Sequence, residues 1–156
     1  MQAQYEALLL EDDEIFIEKI QRALWNSLKF SVVRTVREAR ERVRSGRFDI
    51  ILLDKRLPDG LGTSLIPEIK MLMPHAVILV LTADKLDETL VDDLAAGASD
   101  YLHKTETISS DLMGRIMVAL GRLKLEKRCQ KAETVASQLL QFNIAGHSNA
   151  IQELRT

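Results

Sequence analysis

One cysteine, Cys129, occurs among the 156 residues. An internal disulfide is therefore excluded, and nothing points to an oxidising compartment. Charge of one sign is also scarce. Twenty-one basic against 23 acidic residues leave a net −2, too little bias for the whole surface to wrap nucleic acid. No apolar run approaches the roughly 20 residues of a membrane span. The start, MQAQYEALLLEDD, has a short apolar run and no basic leader, so a cytoplasmic location is expected. Solenoid repeats and low-complexity segments are absent. So is a GxxxxGK[ST] loop, and this chain is not expected to be an ATPase in its own right. His75, His103 and His147 lie far apart with no cysteine partners, which argues against a His/Cys metal site. What is present, 46% hydrophobic and 28% charged residues, suits one globular domain with an extension.

The pattern organises around IILLDKRLPDGLG, residues 50–62. Four apolar residues run into Asp54, and a Pro-Asp-Gly turn follows, as for a buried strand ending in an acid. Before it, residues 5–10 read as a short strand ending in Glu11, Asp12 and Asp13. A helix follows with Phe16, Ile20, Ala23 and Leu24 on one face. Residues 30–35 are β-branched and strand-like, and 36–47 are helical with Gly46 at the C-cap. Strand three covers 48–54. Thr63 or Ser64 is expected to cap a helix with Pro67 in its first turn. Strand four covers 76–82, and a helix over 86–96 (Leu86, Leu90, Leu94) ends at Gly97. Strand five covers 99–102 and leads to His103 and Lys104. From Ser109 or Ser110 one long helix runs to about Phe142. Strict alternation of strand and helix predicts an α/β, flavodoxin-like, doubly wound parallel sheet, order 2-1-3-4-5, with an extended C-terminal helix.

In such a sheet every strand's C-terminal end opens on one edge, where ligands bind. Strand one delivers Glu11 and Asp12 there, strand three Asp54, strand four Thr82 and strand five Lys104. Taken singly, each has an ordinary structural role as a strand-end cap, a solvated charge or a helix start. Together they place three carboxylates, a hydroxyl and an ammonium in one crevice. Three close carboxylates repel unless a cation is present. A hard divalent ion such as Mg²⁺ resolves this and keeps open positions for a phosphoryl oxygen. Asp54 is then a candidate nucleophile forming an acyl phosphate. Lys104 supplies fixed positive charge and Thr82 a hydroxyl donor to the phosphoryl oxygens.

Four motifs, LLLEDDE, LLDKRLPDGLG around Asp54, LTA at Thr82 and Ala83, and GASDYLHK ending at Lys104, occur in order over about residues 5–120. As a set they resemble the receiver domain of two-component response regulators. The resemblance implies that Asp54 is phosphorylated from the phosphohistidine of a sensor histidine kinase. It implies that Asp12 and Asp54 ligate Mg²⁺ directly, Glu11 through water, and Arg56 through its backbone carbonyl. Asp13 follows the acid pair. Tyr101 matches the switch aromatic, expected to turn inward when Thr82 moves toward the phosphoryl group. Arg56 and Asp84 flank the site where the family varies and are expected to tune hydrolysis of the acyl phosphate. One position departs from the family: Thr105 stands where a proline, commonly with a cis peptide, usually follows the lysine. A cis bond before a non-proline costs about 3 kcal/mol, so a trans Lys104–Thr105 peptide is open at this point.

Beyond residue 120 the helical pattern continues as a linker over 121–143. Leu125, Ala132 and Leu139 are seven apart, with Val135 and Phe142 three beyond, a short heptad seam interrupted by Arg128. Six basic residues against one acidic fall between Arg115 and Lys131; a solvated face is the plain reading. A homodimer through the linker and the face beside helices four and five is expected. Residues 144–156 contain a turn at 146–149 and a truncated helix. They resemble the entry to the AAA+ domain of sigma-54-dependent (NtrC-like) activators, which implies a receiver-plus-linker piece of a longer regulator whose DNA contacts lie elsewhere. A haloacid-dehalogenase phosphatase would need DxDxT after strand one, where Glu11-Asp12-Asp13-Glu14-Ile15 stands. A flavodoxin would need a Ser/Thr-rich phosphate loop there. The remaining rival is an unphosphorylated pseudo-receiver acting as a dimerisation or protein-interaction module.

Overall fold

Runs rich in leucine and isoleucine line up side by side, as the alternation requires. The computed structural model describes residues 4–83, 88–104 and 110–155, without the side chains of 110, 111, 113, 127 and 143–155. In chain order the elements are β1 (Tyr5–Leu10), α1 (Glu14–Leu24), β2 (Leu28–Val33), α2 (Val36–Ser45), β3 (Ile50–Asp54), β4 (Arg56–Leu57) and β5 (Gly60–Leu61). A 3-10 turn (Gly62–Leu65), α3 (Ile66–Leu72), β6 (Val77–Thr82), α4 (Leu90–Ala96), β7 (Asp100–His103) and α5 (Ser110–Arg155) complete the chain. It divides into two compact units, Met1–Leu120 and Gly121–Thr156.

The first unit holds a five-stranded sheet of order β2-β1-β3-β6-β7, parallel throughout. This is the predicted 2-1-3-4-5 order. A two-stranded hairpin, β4–β5, was not legible in the apolar pattern. It pairs Arg56 with Leu61 and Leu57 with Gly60 around Pro58-Asp59, and Gly60 has φ 150°, a value that excludes most side chains. On one face of the sheet Leu8, Leu10, Ile51, Leu53, Ile78 and Val80 pack with Val36, Ala39 and Val43 of α2 and Ile66 and Ile69 of α3. By the right-handed crossover rule α1 and the start of α5 cover the other face, and they bury Ile17, Ile20 and Leu24, and Leu112, Ile116 and Leu120. Each such fully buried side chain contributes about 1.5–3 kcal/mol. A one-residue slip would send a whole strand's set to the wrong face, so the register that brings the strand ends level is strongly held.

Side chains cap the starts of α1 and α2. Asp13 accepts from the backbone N–H groups of Ile15 and Phe16 at the start of α1. Thr35 caps α2 through Glu38 N–H, and Asp59, 23 residues away, accepts from the Val36 and Arg37 N–H groups at 2.8 and 3.0 Å. These backbone bonds hold the Asp59 carboxyl below its ordinary range. Neither Thr63 nor Ser64 caps α3. The 3-10 turn precedes it, Leu65 at the N-cap position makes no side-chain cap, and Pro67 sits in the first turn, where a missing N–H costs nothing. The α4 helix is shorter than expected: Glu88 and Thr89 form a turn, Leu86 lies outside the described residues, and Leu94 is exposed. Gly97, at φ 127°, ends it. In place of a turn at 146–149, α5 is helical to Arg155. Gly146 costs a helix only about 1 kcal/mol, and no proline follows to stop it.

Candidate functional site

Because β1, β3, β6 and β7 are parallel neighbours, their last residues meet at one edge. Glu11, just past β1, is fully buried, and Asp54 and Thr82, the last residues of β3 and β6, are nearly so. Lys104 follows β7, anchored by its backbone N–H on Thr82 O at 2.7 Å. Its ammonium reaches Glu11 Oε2 at 2.7 Å and Asp54 Oδ2 at 3.0 Å. It also lies 4.9 Å from the centre of the Phe16 ring, a favourable cation–π distance. Glu11 Oε1 accepts from the N–H groups of Asp12 and Asp13, both at 3.2 Å. Asp54 Oδ1 accepts a long bond from Arg56 N–H at 3.4 Å. Asp12 stands exposed at the mouth.

One ammonium thus faces two buried carboxylates. Burial raises the Glu11 pKa; the hydrogen bond from Lys104 lowers it and the charge of Asp54 raises it again, leaving it at about 7. Burial works against the Lys104 charge, but hydrogen bonds to Glu11 and Asp54 outweigh it and hold its pKa above the ordinary value. The folded state therefore binds the Glu11 proton more tightly than the unfolded chain does. That contribution to stability is complete below the ordinary glutamate pKa and is lost as pH rises through about 7. Lys104 keeps its charge across this window. Without divalent cation, Tm by calorimetry is expected to fall between about pH 5 and pH 8, and Glu11→Gln to flatten that fall. A flat native profile would show that Glu11 stays ionised.

Carboxylate oxygens of Glu11, Asp12 and Asp54 lie within 4.8 Å of one another. All are hard oxygen donors, one buried pair and one open to solvent, and so fit a hard divalent cation. The edge has what an acyl-phosphate site requires: a buried carboxylate, a neighbouring fixed cation, a hydroxyl-bearing strand end and an acidic cation cluster. Residues 7–116 match the family described as the response regulator receiver domain.

The chain belongs to that family. Receiver domains are the phosphoacceptor switches of two-component response regulators. This receiver domain is 33% identical over 149 residues to the transcriptional regulatory protein ZraR of Escherichia coli (strain K12), covering 94% of the present chain and 33% of ZraR. The chain thus spans about a third of that relative's length. The crystal structure of a CheY-like receiver domain protein from Methanospirillum hungatei JF-1 superposes with a TM-score of 0.73 at 25% identity, covering 80% of this chain and 99% of that one. A response regulator protein from Burkholderia pseudomallei, described with a phosphorylated aspartic acid, calcium ion and citrate, superposes with a TM-score of 0.63 at 30% identity, covering 70% of this chain and 65% of that one.

Of the residues expected at the receiver site, Glu11, Asp54, Thr82 and Lys104 converge, with Asp12 beside them. Arg56 is exposed and touches Asp54 through its backbone N–H. Asp13 is the cap of α1, and Ala83 is exposed just past Thr82. Phe16, expected on the buried face of α1, is half-buried and turned to Lys104, while Ile17 takes the buried position. Tyr101, in β7, is half-buried, and its hydroxyl donates to Asp93 Oδ2 at 2.8 Å. Asp84 and the Lys104–Thr105 peptide lie outside the described residues. Lys55, buried directly after Asp54, was not foreseen; a lysine directly following the strand-end acid was the available signal. No helix among the described residues is long and apolar enough to cross a membrane.

Proposed function

We propose that Asp54 accepts a phosphoryl group from the phosphohistidine of a sensor histidine kinase and that the acyl phosphate switches self-association of a cytoplasmic transcriptional regulator. An Asp54 carboxylate oxygen attacks phosphorus, the O–P bond forms, the N–P bond breaks, and the histidine leaves. Asp12 and Asp54 would hold Mg²⁺ directly, Glu11 through water and Arg56 through its carbonyl. The ion would neutralise the carboxylates and a phosphoryl oxygen. Lys104 remains beside the transferred group as a fixed positive charge, Thr82 donates its hydroxyl to a phosphoryl oxygen, and Tyr101 turns inward with it.

The observation that carries this reading is the buried Asp54 bridged to Glu11 by one lysine at 3.0 and 2.7 Å. The phosphorylated aspartic acid and calcium ion of the Burkholderia relative support it. Output through a homodimer is supported by the linker helix, on which Leu125, Val135, Leu139 and Phe142 are exposed, since a lone helix with an uncovered apolar seam gains by pairing. The exposed Val91 and Leu94 of α4 and Met117 and Val118 of α5 offer a second surface for the same contact. Residues 144–156 point to a sigma-54-dependent, AAA+ type of output.

Sedimentation of the purified chain with Mg²⁺, with and without beryllofluoride, an acyl-phosphate mimic, tests the reading. The mimic is expected to change the association state of the native chain and leave Asp54→Ala unchanged. Absence of any mimic binding would assign the chain to the unphosphorylated pseudo-receivers. Binding without a mass change would move the output to another partner.

A further inference from the structure

The residue after Asp54 is buried as deeply as Asp54 itself: Lys55 is 6% exposed. Successive side chains of an extended segment point to opposite sides, so Lys55 turns away from the acidic crevice. Its own backbone N–H is tied to Leu81 O at 3.0 Å. The ammonium donates to Thr89 Oγ1 at 2.5 Å, in the turn before α4. The Thr89 hydroxyl donates onward to Asp93 Oδ2 at 3.3 Å. That same carboxylate oxygen accepts the Tyr101 hydroxyl at 2.8 Å. Lys55 Nζ also lies 5.9 Å from the centre of the Tyr101 ring.

The result is a polar circuit with a cation at one end and a carboxylate at the other. An ammonium polarises the threonine hydroxyl it donates to, and a carboxylate strengthens both hydroxyl bonds it accepts. Its members come from the end of β3, the approach to α4, α4 itself and β7. The circuit matters more here than a similar set elsewhere in the sheet would. The α4 helix has seven residues and buries none of them, so apolar packing contributes little to holding it and polar contacts contribute more.

We propose that Lys55 is a positioning residue for the reaction at Asp54: through Thr89 and Asp93 it holds the Tyr101 hydroxyl on α4, and this circuit opens when the phosphoryl group is accepted. The inference rests on the reading of Asp54 and Tyr101 given above. Its physical content is linkage. An interaction present only before the phosphoryl group arrives opposes its arrival, and removing that interaction favours the phosphorylated arrangement by the same factor.

The test is calorimetric titration of the full chain with beryllofluoride at saturating Mg²⁺. It compares the native protein with Lys55→Met, Asp93→Ala, Tyr101→Phe and the Lys55→Met/Asp93→Ala double variant. Lys55→Met keeps the apolar stem, and Tyr101→Phe removes one oxygen atom and so guards against a variant that fails to fold. Each single change is expected to tighten beryllofluoride binding by about threefold to tenfold. The double variant is expected to bind no tighter than the better single one, because both break one circuit. Mg²⁺ affinity without fluoride is expected to stay unchanged, which separates positioning from general loosening. Unchanged or weaker mimic binding in Lys55→Met and Tyr101→Phe, or multiplicative effects in the double variant, overturns the proposal while leaving Asp54 as acceptor. If the native chain binds no beryllofluoride, the acceptor reading itself fails and this inference falls with it.

Discussion

Replacing Lys104 by methionine is expected to weaken beryllofluoride binding at Asp54 by about a hundredfold or more, and to destabilise the metal-free fold at pH 8 by about 3 kcal/mol. The lysine lies between Glu11 and Asp54, at 2.7 and 3.0 Å. Removing one partner of a buried pair leaves the other charge uncompensated, and this generally costs more than the pair contributes net. Two buried carboxylates would then face each other, so one must take up a proton. The Glu11 pKa, already about 7 with the Lys104 hydrogen bond lowering it, is expected to rise further. Protonation offsets the loss in acid, so urea unfolding is expected to show a large deficit at about pH 8 and a much smaller one near pH 6. Equal deficits at both values would show that Glu11 does not carry the coupling. Mimic binding suffers separately, since the fixed positive charge beside the phosphoryl oxygens is lost. Lys104→Arg keeps the charge and is expected to retain part of the binding, because a planar guanidinium does not reproduce the compact ammonium.

Gly62→Ala is expected to cost about 3 kcal/mol or more and to abolish mimic binding in whatever protein still folds. An alanine Cβ at position 62 would lie 2.1 Å from the backbone oxygen of Asp54 and 3.3 Å from its carbonyl carbon. Backbone cannot swing aside as a side chain can. The Gly62 N–H, moreover, is bonded to Lys55 O at 2.9 Å. Relief of the clash must therefore push the end of β3 and the Asp54 carboxylate out of line with Lys104. Gly114→Ala is the matched control. Among the described residues, no atom beyond the helix's own backbone lies within 4 Å of the added carbon there, and alanine in a helix is favoured over glycine by about 0.5–1 kcal/mol. Denaturant midpoints are expected to move in opposite directions for the two variants. A Gly62→Ala protein with native stability and native mimic affinity would refute the close approach.

The five strands of the parallel sheet, their order and the meeting of Glu11, Asp12, Asp54, Thr82 and Lys104 were determined by the sequence alone. Apolar runs are local signals, and parallel strands joined by right-handed crossovers admit few orders, so a residue written at the end of a strand arrives at the ligand-binding edge without further information. The spacing of the four motifs then selected the receiver family. The fold itself decided what depends on placing atoms of separate elements to within about an ångström. Asp59 caps α2 across 23 residues. Gly62 admits the Asp54 carbonyl, and Lys55 turns to Thr89 while Asp93 takes the Tyr101 hydroxyl. None of these has a period or a local partner to reveal it. A polar side chain declares its role only when packing has placed its partner, because hydrogen bonds and close contacts are short-ranged whereas the hydrophobic pattern that builds the sheet is averaged over whole strands.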